Sequence, residues 1–163
     1  GKIIIMNNEL SPIKIEYEPR LATLEQYEIQ SQAVDLAGLC ARMLKREFAV
    51  EKVILFGSMI YPEDIVYGHN IPKKFISDID LAIFGGLPDQ EFWNGYIKAR
   101  NACNDMARYA HRFLNLPSFE VDLVLANTMD EDMLEQINDG IELCLENSNK
   151  SISLADLNEK MYD

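Results

Sequence analysis

Ser77-Asp78-Ile79-Asp80-Leu81-Ala82-Ile83-Phe84 decides how this chain is read. Ile79, Leu81 and Ile83 alternate as in a strand with one face in a core, and side chains two residues apart share a face. Asp78 and Asp80 then project side by side. Like charges that close repel, and burying either without a partner is costly. A divalent cation removes that cost, and Mg²⁺ takes one or two carboxylates and completes its shell with water and phosphate oxygens. The pair reads as half of a metal site. Spacing alone proves little in a chain with 12 Asp, because Asp130-Glu131-Asp132 repeats it. That second copy reads as acids opening a helix, where the dipole favours them. Context separates the two.

Upstream, Lys52-Val53-Ile54-Leu55-Phe56-Gly57-Ser58 is an apolar run ending in Gly-Ser. Glycine at a strand end allows close backbone approach to a phosphate, and Ser58 is expected to N-cap a short turn that stops near Pro62. Downstream, Phe119-Glu120-Val121-Asp122-Leu123-Val124-Leu125-Ala126 reads as a third strand with Asp122 embedded in it. If Asp122 faces the same way as Asp78 and Asp80, three carboxylates meet.

Gly57-Ser58, Asp78-x-Asp80 and Asp122 in that order resemble the nucleotidyltransferase superfamily that includes DNA polymerase β, and within it the minimal nucleotidyltransferases. The likeness spans roughly residues 35 to 146, with Leu44–Ser58 similar to the opening helix and first strand, and Ile137–Leu143 similar to the closing helix. It implies a Mg²⁺-dependent transfer of NMP, AMP from ATP by preference, to an acceptor hydroxyl with loss of pyrophosphate. Asp78, Asp80 and Asp122 would ligate two Mg²⁺ ions, and Asp122 would accept the hydroxyl proton. Gly57, Ser58 and Ser77 would bind the nucleotide. The resemblance also implies an acceptor that is a partner protein, as in a toxin–antitoxin pair. A small molecule of the aminoglycoside kind is the alternative acceptor, and a non-catalytic partner-binding module is the alternative role. Residues 59 to 77 form a longer insert than the family usually carries, and Met59-Ile60-Tyr61-Pro62 stands where it often has an arginine. Lys73 and Lys74 are the candidates for that missing charge.

The remaining pattern is that of one α+β domain over residues 1–163: a small mixed sheet with helices mainly on one face. Residues 1–34 would be an extension, with an edge strand at 12–17 limited by Pro12. Thr23, with Gln26 completing a capping box, opens a helix to about Phe48 that buries Ile29, Ala33, Leu36, Leu39, Cys40, Met43 and Leu44. Residues 63–76 read as a loop. A second helix is expected from Asp89 to about Leu114, its apolar stripe including Ile97, Cys103, Met106 and Phe113. Thr128-x-x-Glu131 reads as a capping box for a helix to about Glu146, and Ser153 starts a short final helix at about 151–161.

Fifteen Lys and Arg against 27 acids, net −12, disfavour nucleic acid as a partner, since such binding rests on neutralising phosphates. Cys40, Cys103 and Cys144 lack metal-site or framework spacing and read as buried reduced thiols. No apolar stretch approaches the about 18 residues of a membrane span, so a cytoplasmic protein is expected, working as a homo- or hetero-oligomer if a partner supplies the acceptor.

Overall fold

The computed structural model describes residues 2–4, 13–15, 20–68, 75–87 and 92–143. Lys73, Lys74, His69, Pro12, Asp89, Cys144 and the expected final helix lie outside them. Two short strands, β1 (Lys2–Ile4) and β2 (Ile13–Ile15), pair antiparallel. Helix α1 (Leu24–Glu47) follows, opened by the expected capping box: the Thr23 side chain accepts from Gln26 N, and the Gln26 side chain accepts from Thr23 N. Strand β3 (Lys52–Phe56) leads into a 3-10 turn at Gly57–Ile60 and another at Pro62–Asp64. The insert then forms a small hairpin of β4 (Tyr67–Gly68) and β5 (Phe75–Ile76). Next come β6 (Ile79–Phe84), helix α2 (Phe92–Phe113), β7 (Val121–Leu125), helix α3 (Glu131–Asn138) and β8 (Ile141–Glu142).

Four strands form one mixed sheet in the order β7-β6-β3-β8, with β3 antiparallel to β6 and β8, and β6 parallel to β7. This is an α+β arrangement. One face carries Val53, Leu55, Ile79, Leu81, Ile83, Val121 and Leu123, which pack with the buried sides of α1 and α2. The alternate residues Ile54, Phe56 and Ala82 face the other way, toward Ala126 and Ile137 of the α3 side. Both long helices therefore share one face, while the short α3 covers part of the second. Cys40 and Cys103 are fully buried where α1 meets α2. Within the apolar stripes, Leu39 is only partly buried, and Ile97 and Phe113 are exposed. Among the described residues no helix is long and apolar enough to cross a membrane.

Three local expectations are corrected. Ser58 lies inside the turn at Gly57–Ile60, which has no side-chain cap; the turn does stop just before Pro62, which opens the next one. Asp130, not Thr128, caps α3, accepting from Met133 N at 2.9 Å, while the Thr128 hydroxyl donates to Leu125 O. The closing helix ends at Asn138 rather than near Glu146. There Gly140 sits so close to β3 that a Cβ would lie 2.4 Å from Leu55 O, and Ile141–Glu142 pair with Leu55 and Ile54. A sheet position with alternating Ile141 and Leu143 replaces the expected helical turn.

Candidate active site

The register of two neighbouring strands builds the site. Asp80 on β6 stands directly beside Asp122 on the parallel β7, so both side chains leave the same face of the sheet. Ile79 N donates to Glu120 O at 2.9 Å, which carries the alignment one residue before the strands begin. By the same alternation Asp78 and Glu120 extend the row, giving two acid-apolar-acid segments side by side. On the other flank, β3 pairs Phe56 with Asp80, and the chain then turns through Gly57 at φ +80°. A Cβ on Gly57 would stand 2.5 Å from Asp80 Oδ2. Glycine is therefore required twice over, for the left-handed backbone and for the carboxylate packed against it.

The electrostatics follow from that crowding. Asp80 is half-buried, and burial first, then the charges of Asp122 and Asp78, push its carboxyl up to about 6. Asp78 is also raised, by burial and then by Glu120 and Asp122. Among the described residues no Lys or Arg pairs with any of the four acids. Acids crowded so that Asp78 and Asp80 hold their protons more tightly, with no Lys or Arg paired to them among the described residues, favour an external cation. Among the described residues no three His, Cys, Asp or Glu side chains are gathered as a preformed cage. An all-oxygen row on an open sheet face fits a hard ion such as Mg²⁺, which keeps several ligands for water and phosphate, better than a metal needing a full protein shell.

Two clefts flank the acids. Gly57 and Ser58 line one of about 300 Å³, shared with Tyr61, Asp64, Gln136 and Asp139. Asp122 lines the other, of about 340 Å³, with Tyr96, Val124, Thr128 and Met129, and its walls are mostly apolar. Crossing the sheet, the order is Gly57-Ser58, Asp80, Asp122, apolar cleft. Helix α2 fixes the Asp122 end: the Asn104 amide accepts from Val121 N at 2.9 Å and donates to Val121 O at 3.0 Å, and the Tyr96 hydroxyl donates to Leu123 O at 2.7 Å.

Of the residues expected from sequence, Asp78, Asp80, Asp122 and Gly57 come together, with Ser58 next to them. Ser77 is buried, and its hydroxyl exchanges hydrogen bonds with the Val66 backbone, accepting from N at 2.8 Å and donating to O at 3.3 Å. It anchors the insert. Glu120 is a further acid beside the expected ones, and Glu120-Val121-Asp122 signals it by repeating the alternation of Asp78-Ile79-Asp80. Asn104 and Tyr96 carry no such signal, because a helix–strand contact is invisible to local spacing.

No protein-family model matches this chain, and no curated protein matches it significantly. The site must be read from its own chemistry.

Proposed function

We propose that the protein is a Mg²⁺-dependent nucleotidyltransferase that moves NMP, AMP from ATP by preference, onto the hydroxyl of a partner protein or small molecule. The observation that carries this reading is the in-register pair Asp80 and Asp122, flanked by Asp78, with Gly57 packed against the Asp80 carboxylate and, among the described residues, no Lys or Arg pairing with the acids. The resemblance through Gly57-Ser58, Asp78-x-Asp80 and Asp122 to polymerase β-like enzymes points the same way. Asp78, Asp80 and Asp122 would hold the metal, whose positive charge supplies neutralisation of the triphosphate. Gly57 leaves room for a phosphate at the end of β3, in the cleft it shares with Ser58. Asp122, exposed at the mouth of the apolar cleft, is placed to accept the proton of an acceptor hydroxyl. Leaving group and acceptor would then lie on opposite sides of the acids, as in-line displacement requires.

Incubation with Mg²⁺ and α-labelled ATP, with and without the product of a neighbouring gene, tests the reading. Label is expected on the acceptor with the native chain and none with Asp78→Asn, whose circular dichroism should stay native. Full transfer by the Asn protein would sink the assignment. A second reading, a partner-binding module without turnover, is favoured by one observation: Asp64 and Asp139 line the cleft beside Gly57 and Ser58 and oppose a phosphate there. It forecasts no Mg²⁺-dependent binding of ATP.

A further inference from the structure

The cleft beside Gly57 and Ser58 needs a cation before it can hold phosphate, and among the described residues its lining has none. Its charged residues are Asp64 and Asp139. Among the described residues, Arg20 is the Lys or Arg bonded to that lining: its guanidinium donates to Asp64 Oδ1 at 2.7 Å. Arg20 lies 37 residues before Gly57 and outside the strand-turn segment where the sequence would place a phosphate-binding arginine.

The ties around it show that Arg20 is held at this rim. The capping box at Thr23 sets where the chain enters α1. From the same helix end, Gln26 Nε2 donates to Ile65 O at 3.1 Å and, more weakly, to Glu63 O at 3.4 Å. One turn on, Gln30 Nε2 donates to Met59 O at 3.0 Å. Three side chains of one short segment, Arg20, Gln26 and Gln30, thus clasp residues 59 to 65, the stretch running directly on from Gly57-Ser58. As a tether the ion pair alone is weak, because the Arg20 side chain is 76% exposed and surface pairs contribute little. Gln26 and Gln30 already do the anchoring.

We infer that Arg20 is the phosphate-binding cation of this site, parked on Asp64 until a nucleoside triphosphate enters the cleft of Gly57 and Ser58. This rests on the nucleotidyltransferase reading and names the residue that makes its phosphate side workable. A guanidinium has five donors, so one edge can remain on Asp64 while another meets phosphate oxygens in a bidentate fork. With Arg20 in place the wall formed by Asp64 is neutral instead of repulsive. Asp64 then holds Arg20 near but competes with the phosphate for it.

Equilibrium titration of the full chain with ATP and Mg²⁺, and separately with adenosine, tests this. Arg20→Gln should weaken ATP about 10- to 100-fold, the range for losing a charge-assisted hydrogen-bonded contact. It should leave adenosine and the melting temperature nearly unchanged, and Arg20→Lys should recover part of the loss. Asp64→Asn should tighten ATP, because it removes a competitor and a like charge. A tether predicts the reverse pattern, with both variants losing ATP and adenosine alike. ATP binding by Arg20→Gln equal to that of the native chain, or weakening by Asp64→Asn, overturns the inference while leaving the metal site standing. Native chain that binds no ATP with Mg²⁺ overturns the inference and the nucleotidyltransferase reading together.

Discussion

Replacing Asp80 with Asn is expected to make the metal-free protein more stable, although it removes a central residue of the site. The unfolded chain ionises Asp80 near 3.8, whereas the native site holds it at about 6. Between those values the native state binds more protons, so stability falls as pH rises through that window and stays lower above it. At 1.36 kcal/mol per tenfold change in acidity, the cost of the ionised form is at most about 3 kcal/mol. Asp80 is only half-buried, and solvent screening brings the figure nearer about 1 kcal/mol. For a domain of this size that corresponds to a gain of roughly 2–4 °C in melting temperature. Thermal unfolding at pH 8 without metal should show this rise for Asp80→Asn, and the difference should vanish near pH 4, where native Asp80 is protonated. Adding Mg²⁺ at pH 8 should stabilise the native chain by mass action and the variant far less. A variant less stable than native at pH 8 without metal would refute the argument that the acids repel one another unpaired.

Gly57→Ala combines a φ of +80° with a Cβ 2.5 Å from Asp80 Oδ2, and should cost about 2 kcal/mol in denaturant unfolding. It should also lose most of the Mg²⁺-dependent rise in melting temperature, because the carboxylate must move to make room; an unaltered rise would show that Asp80 does not bear on metal. Asn104→Ala leaves the Val121 N–H and C=O without their amide partner and should cost about 2–3 kcal/mol in urea unfolding. A change under about 0.5 kcal/mol, the scale of an ordinary surface substitution, would mean that water replaces the amide freely.

Much of the site was legible because its logic is local. Alternation along Ile79–Ile83 told which face Asp80 takes, and the Thr23/Gln26 box placed the start of α1 to the residue. Periodicity failed where two local signals competed. Thr128 and Asp130 both offer a capping oxygen ahead of Glu131, and geometry chose Asp130 while Thr128 bonded back to Leu125. After Asn138, helical propensity lost to tertiary contact: only a residue without Cβ fits against Leu55 O, and the strand pairing with β3 takes over. Nor does local spacing show that the Ser77 hydroxyl bonds to the backbone of Val66, eleven residues away. Arg20 and Asp64, 44 residues apart, share no pattern that a single sequence displays.

The side chains that α2 lays along β7 have a consequence beyond holding Asp122 still. A strand at the rim of a sheet offers its free amides to any other extended chain, which is how sheets merge between molecules. At Val121 that offer is withdrawn, because the Asn104 amide copies the donor–acceptor pair of a neighbouring strand, and Tyr96 occupies the next outward carbonyl. The protein thus shields, beside its acid row, the kind of edge through which copies of a sheet aggregate. A macromolecule brought to Asp122 would have to present a projecting group from above the cleft, and could not dock by extending the sheet at Val121.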